Sequence, residues 1–213
     1  MIDVSELCMG PTDILEIDIL PNLPPSGGYR HIITMIDVFS RYLFAYPTTN
    51  TTAESVSKAI VDLMTRHCYL PSLIIADKGS QFTAELTKEV AKTLDIQLNI
   101  ATTKHAQTIG ILERTHASLK TQLKLEIGER KNMWHKYVQM AVMNHNTSYH
   151  SSIGCEPSRL FHGRTPYNVL DLNLGTKPTC KMKNKAEYAE ELQRQLNELT
   201  DNTKKPNTSL PII

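Results

Sequence analysis

A change in hydrophobic period near residue 50 narrows the folds open to this chain. Before it, residues 13–19 (DILEIDI), 31–37 (HIITMID) and 42–46 (YLFAY) are short runs rich in β-branched and aromatic residues. A Pro/Gly loop at 21–28 separates the first two, and the polar turn at Ser40-Arg41 the last two, the pattern of an antiparallel three-strand meander. After it, Val56, Ile60, Leu63 and Met64 recur at helical spacing over 53–67, with Thr51 and Glu54 as a capping box and Pro71 as a stop. The run LIIA at 73–76 reads as a strand buried on both faces. Phe82, Leu86, Val90 and Leu94 predict one further helix, and 96–101 a short strand. The expected class is α/β, a five-stranded mixed sheet in which the meander is joined by parallel strands and flanked by helices. From 111 to about 150 the chain reads as helical with a break near Gly128. A loop-rich stretch follows from Ser151 to Pro178, then an amphipathic helix at 184–200 and a flexible tail. The expected organisation is a lead at 1–12, a main domain at 13–172 and an extension at 173–213.

Composition removes several function classes. A length of 213 residues suits one domain with a short appendage, and 40% hydrophobic with 21% charged residues excludes wholesale disorder. The formal charge of +1 means that any nucleic-acid site must be a local patch. No apolar run approaches bilayer length, and MIDVSELCMG has neither the basic nor the apolar region of a secretory signal. Cys8, Cys68, Cys155 and Cys180 form no CxxC pair, and the histidines form no HxxxH, which argues against a zinc site and for a reducing, intracellular setting.

Three carboxylates stand where such a fold could gather them: Asp18 on the first strand, Asp77 directly after the buried strand, and Glu113 opening the long helix. Ligands bind at the C-terminal ends of strands in open α/β sheets. Carboxylate oxygens suit a hard cation such as Mg²⁺, and three of them can hold two ions that serve both oxygens of a phosphoryl displacement. On the helix, Leu112, His116, Leu119, Leu123 and Ile127 form an apolar stripe, while Glu113, Ala117, Lys120 and Lys124 form a second face. Residues 101–136 hold seven Lys or Arg against three Glu, a local +4 suited to a phosphate backbone. Each feature also has a plainer reading: Asp77 as a turn cap, the lysines as a solvated helix face.

Taken together these residues resemble the catalytic core of retroviral and retrotransposon integrases, above all those of gypsy-type elements. The family's three-acid signature, with 35 residues between the second and third acids, falls on Asp18, Asp77 and Glu113. Gly79, Gln81 and Phe82 match around the second acid, and His105, Gln107 and Gly110 to Arg114 around the third. Gly27 to Arg30, Asp37 to Tyr42, and later Asn146, His150, Gly154, Pro157 and Gly163 resemble the family's strands, helix and loop, over roughly residues 10–172. The resemblance implies an RNase H-like fold and DNA 3′-end processing and strand transfer. It implies two Mg²⁺ or Mn²⁺ ions held by Asp18, Asp77 and Glu113, and DNA contacts from Lys120, with Lys124, Lys104 and Arg114 beside it. It also implies a homodimer that assembles further on element ends and target DNA, working in the nucleus or a cytoplasmic particle, with no membrane partner.

The pattern departs from the family at Ala106 and Ile109, where Pro and Asn are usual. Glu16, two residues before Asp18, is a competing ligand on the same strand face, and Asp37 reads as a structural acid at a strand end. Two other functions fit the residues: a captured or decayed core serving only to bind nucleic acid or protein, and an RNase H-type nuclease.

Overall fold

The computed structural model describes residues 10–100, 106–128, 131–164, 193–194, 196–198 and 201. The chain divides into two compact units, Met1–Asn146 and Thr147–Ile213, each described by itself.

The first unit is built on β1 (Ile14–Leu20), β2 (His31–Asp37), β3 (Leu43–Thr48), β4 (Leu73–Ala76) and β5 (Gln97–Ile100), in the order β3-β2-β1-β4-β5. β1–β2 and β2–β3 pair antiparallel, and β4 joins β1 and β5 in parallel. The period-2 and continuous apolar runs thus become the mixed sheet that they predict. β1, β2 and β4 are almost wholly buried, with Leu15, Ile32, Ile36 and Ile74 at 0% exposure.

Helix α1 (Ala53–His67) buries Val56, Ile60 and Leu63 as the spacing requires, but its cap is Thr52, whose hydroxyl accepts the Ser55 amide, rather than Thr51 with Glu54. It stops at Cys68 in the left-handed region, three residues ahead of Pro71. The single helix expected over 82–94 is two, α2 (Ser80–Thr83) and α3 (Glu85–Thr93), because Ala84 is extended (φ −62°, ψ 147°). The break rotates α3 so that Thr87 and Ala91 face inward and Leu86 stays exposed.

Helix α4 (Ala106–Ile127) begins well before the expected start near 111. Neither Ala106 nor Ile109 belongs to the residue types that compete for nearby backbone amides, as Asn does, so the helix runs back to Ala106. Its apolar stripe is buried as predicted: Leu112, Leu119 and Leu123 are core, and Ile127 packs against it. After Gly128 (φ 54°) and a short 3₁₀ turn, α5 (Trp134–Thr147) adds Trp134 and Val138 to that core and leaves Met140 exposed. The Trp134 indole donates to the Pro24 carbonyl at 2.6 Å and ties the β1–β2 loop to α5.

The outer edge of β3 is occupied by side chains of α5. Asn146 accepts the Leu43 amide at 2.8 Å and donates to the Leu43 carbonyl at 2.9 Å. Gln139 donates to the Ala45 carbonyl at 2.8 Å. Pro47, next in this alternation, has no amide to offer.

In the second unit, His150 bridges Cys155 and Pro157–His162 forms α6, a helix inside the stretch expected to be loop. Pro157 at its first turn and Gly163 at its end (φ 72°) are the usual start and stop signals. The expected amphipathic helix at 184–200 lies largely outside the described residues, though 193–194 and 196–198 are helical, and the expected tail lies outside them entirely. Among the described residues no helix is long and apolar enough to cross a membrane.

Candidate active site

The register of the parallel pair places the first two carboxylates. Ile17 pairs with Ala76, so Asp18 and Asp77 each follow a partner residue on adjacent strands, β1 and β4. This is the C-terminal end at which ligands bind in open α/β sheets. Asp77 is exposed and turns its Oδ1 back to the Gly79 amide at 2.9 Å. A side chain on Gly79 would meet that carboxylate and the Gln81 amide, which would have to shift.

Asp18 is half-buried, and its carboxyl is pushed up to about 6. Burial is the main cause. The Ile19 amide, donating to Oδ1 at 2.7 Å, works against it, and the negative charge of Asp77 adds to it. The nearest basic group does not neutralise this pair. His116 Nδ1 lies 3.7 Å from Asp18 Oδ2, but burial, helped by Lys120, lowers the imidazole to about 4, so it is neutral at pH 7. The Thr34 hydroxyl donates to the Asp18 carbonyl at 3.0 Å, leaving its oxygen to accept from His116 Nε2 at 2.7 Å. That fixes the tautomer with hydrogen on Nε2 and a lone pair on Nδ1, facing Asp18.

Glu113 lies three residues before His116 on α4, exposed, in the interior of the extended helix rather than at its opening. Among the described residues no three carboxylate, imidazole or thiol groups come close enough together to hold a metal ion. The structure therefore brings Asp18 and Asp77 together on adjacent strands, with Glu113 on α4. In donor chemistry the pair fits a hard divalent cation: two oxygen ligands share a strand end, their like charges oppose each other, and among the described residues neither has a charged partner at neutral pH.

Arg114, Lys120 and Lys124 are exposed, and the two lysines continue the Glu113 face of α4. Lys104 lies outside the described residues. Beside the lysines runs a groove of about 520 Å³, floored by Leu23, Leu123, Ile127 and Trp134.

Two further acids sort themselves by burial. Asp37 is fully buried and accepts four hydrogen bonds, from the Ser40 amide and hydroxyl, the Thr12 amide and Tyr69 Oη, the structural strand-end acid expected of it. Glu16 is not the accessible competing ligand that its spacing suggests. It shares the strand face of Asp18 but is only 4% exposed, and burial drives its carboxyl to about 8. Arg41, the Leu112 amide and Arg114 pull that value down, while Asp18 raises it. No local signal separates the two acids, since Asp18, like Glu16, stands between apolar residues of β1.

Comparison with known proteins defines the class. Residues 9–106 match the family model of the integrase core domain. Through this domain the chain is similar to the integrase cores of retroviral and transposon Pol polyproteins. It is 32% identical over 170 residues to the Pro-Pol polyprotein of simian foamy virus type 3, covering 76% of this chain and 15% of that one. A retrovirus-related Pol polyprotein from transposon 412 of Drosophila melanogaster matches at 29% over 154 residues, 72% of this chain and 12% of that one. The chain thus spans a small part of the curated relatives that it matches. Among solved structures, a simian T-cell lymphotropic virus intasome superposes with a TM-score of 0.65 at 19% identity, covering 82% of this chain and 62% of that one. The HTLV-2 integrase catalytic core domain, solved in complex with magnesium in a trimeric form, gives 0.60 at 18%, covering 72% and 99%. The mixed sheet with its flanking helices is the RNase H-like fold of those cores.

Proposed function

We propose that this chain is the core of a metal-dependent polynucleotidyl transferase that processes DNA 3′ ends and joins them to target DNA. The observation that carries the reading is the uncompensated pair of Asp18, on β1, and Asp77, just past the end of the adjacent β4. Bound Mg²⁺ or Mn²⁺, two ions in the full site, would supply the positive charge that activates an attacking oxygen and stabilises a leaving one in line across phosphorus. Asp18 and Asp77 would hold that cation pair, and Glu113 on α4 would complete the set. Lys120 and Lys124 lie along the Glu113 face, where they would hold the phosphates flanking the scissile bond. Arg114 and Lys104 would extend this basic edge. His116, held by Thr34, is neutral and leaves the charge of Asp18 unquenched.

DNA ends and target duplex are the proposed partners, with a homodimer and a higher oligomer on DNA, acting in the nucleus or a cytoplasmic particle. A second reading, a core that binds nucleic acid without catalysis, draws on one observation: among the described residues no three metal-ligating side chains are assembled into a cation site. The test is strand transfer and its reversal on branched oligonucleotides, comparing the natural chain with Asp77→Asn in Mg²⁺, Mn²⁺ and EDTA. Product that needs metal and vanishes in the variant supports the transferase. A folded, DNA-binding chain that gives no product under any condition supports the second reading, and cleavage of RNA–DNA hybrids in place of DNA joining would point to a nuclease.

A further inference from the structure

The groove beside the α4 lysines lies wholly within the unit that carries the sheet. It is lined by Leu23 and Pro24 from the β1–β2 loop, Leu123 and Ile127 from α4, and Trp134 from α5. Lys120, Lys124 and Gly128 complete the lining, and no acid belongs to it. Apart from the two ammonium groups, the one polar side-chain group there is the Trp134 indole N–H, which the Pro24 carbonyl already engages.

That combination selects what the groove can hold. An unpaired base needs an aromatic face to stack on and partners for its polar edge. Trp134 is only 3% exposed, and the other walls are aliphatic. Aliphatic side chains suit those walls, and carboxylates suit the lysines. The spacing suits a helix. Lys120 and Lys124 stand one turn apart, about 6 Å along α4, and the α4 side from Lys120 to Gly128 runs for about 12 Å. A second helix lying along α4 has the same rise, so carboxylates one turn apart on it meet both lysines while its apolar stripe enters the groove. At Gly128 an added Cβ would meet nothing within 4 Å, so that end leaves room for a segment that runs past it.

We infer that this groove docks an amphipathic helical segment of a partner protein, bearing an aliphatic stripe and two carboxylates one turn apart, and that the docked segment and DNA exclude each other at Lys120 and Lys124. The exclusion rests on the proposed function, which gives those lysines to DNA phosphates. The docking does not. A partner seated here would hold the chain off DNA until it is released.

The probe is a fluorescein-labelled, helix-forming peptide with a leucine stripe flanked by two glutamates one turn apart. Its binding to the metal-free, DNA-free chain is followed by anisotropy and mapped by backbone NMR. Saturable binding is expected, with amide shifts concentrated at 23, 120–128 and 134. Changing both glutamates to lysine is expected to weaken binding by about ten-fold or more, and changing the leucines to serine to abolish it. Leu23→Ala and Ile127→Ala are each expected to weaken it by about five-fold or more while duplex DNA binding stays within about two-fold. Saturating peptide is expected to raise the apparent Kd for duplex DNA by about five-fold or more.

A natural chain that does not bind the peptide saturably would overturn the docking. So would binding unchanged in both Leu23→Ala and Ile127→Ala, or a lysine-reversed peptide that binds as well as the original. An unpaired oligothymidylate that loses affinity in both alanine variants would give the groove to nucleic acid instead. DNA affinity untouched by saturating peptide would overturn the exclusion. If either alanine variant does not fold, the other carries the comparison together with Lys124→Ala, which is expected to weaken the peptide. The peptide measurement needs no activity, so a chain inert in strand transfer counts against the transferase and leaves the docking to the binding result.

Discussion

Asp18 carries its proton further up the pH scale than an ordinary aspartate because it is half-buried and because a second carboxylate faces it across two parallel strands. Removing that second charge tests the pairing directly. Asp77→Asn is expected to lower the Asp18 midpoint below about 6 when its side-chain carbon is followed by NMR in EDTA; an unmoved midpoint would mean that burial alone accounts for the shift. Glu16 gives a second titration, with the opposite partner logic. Folded, its carboxyl keeps its proton to about pH 8, while the unfolded chain releases it near 4.5. Between those values the folded state binds more protons, so rising pH works against folding. Asp18 releases most of its proton below pH 6.5, and His116, whose ordinary value is 6.5, adds only a smaller opposing slope above it. Over pH 6.5–8 in EDTA, the unfolding free energy should therefore fall by about 1–2 kcal/mol, and Glu16→Gln should flatten the slope in denaturant titrations. Neither acid's environment is written in the strand that carries it. The period-2 pattern places 16 and 18 on one face, but the difference between them, one sealed and one open, comes from where α4 crosses above.

At the level of elements, the long apolar runs and the helical stripes were legible, because burial of a whole face leaves a repeating pattern. What was not legible turned on single residues with no local signature. Ala84 is a good helix former, yet it interrupts α2 and α3, since keeping one helix would have put Leu86 where Thr87 and Ala91 now pack. The α1 cap falls on Thr52 because Ser55, not Glu54, offers the amide in reach of a threonine hydroxyl; adjacent threonines at 51 and 52 make either choice reasonable from sequence. Thr52→Ala is expected to cost about 1 kcal/mol in a chemical-denaturation midpoint, within the range for losing a helix cap, and Thr51→Ala close to nothing. The early start of α4 has the larger consequence, since it turns the Glu113 backbone from a helix opening into a helix interior. Of the predicted site, the Asp18/Asp77 pairing was recoverable from strand order alone. The place of Glu113 in a helix interior was not, because it depends on how far that helix extends backward.

Across the whole molecule, a nearly neutral chain that binds nucleic acid must do so through a local patch. On the proposed function the exposed lysines of α4 would provide it, and their effect should read as electrostatics rather than base recognition. Lys120→Ala and Lys124→Ala are each expected to weaken DNA binding similarly for unrelated sequences and to reduce the slope of log affinity against log salt by about 1, measured by fluorescence anisotropy across a salt series. A slope unchanged in both would remove this helix face from the DNA interface.

The side chains of α5 along the rim of β3 bear on solubility. A sheet of this kind has two outer strands, and an open one invites a second copy to add its own strand. Here Asn146 occupies both backbone groups of Leu43, Gln139 takes the carbonyl of Ala45, and Pro47 brings no donor. Copies of this chain are thereby steered away from joining rim to rim at β3 and toward meeting through helices. A shortened chain ending ahead of Gln139 would keep all five strands and lose that seal. Its expected fate is aggregation at concentrations where the longer chain stays dispersed.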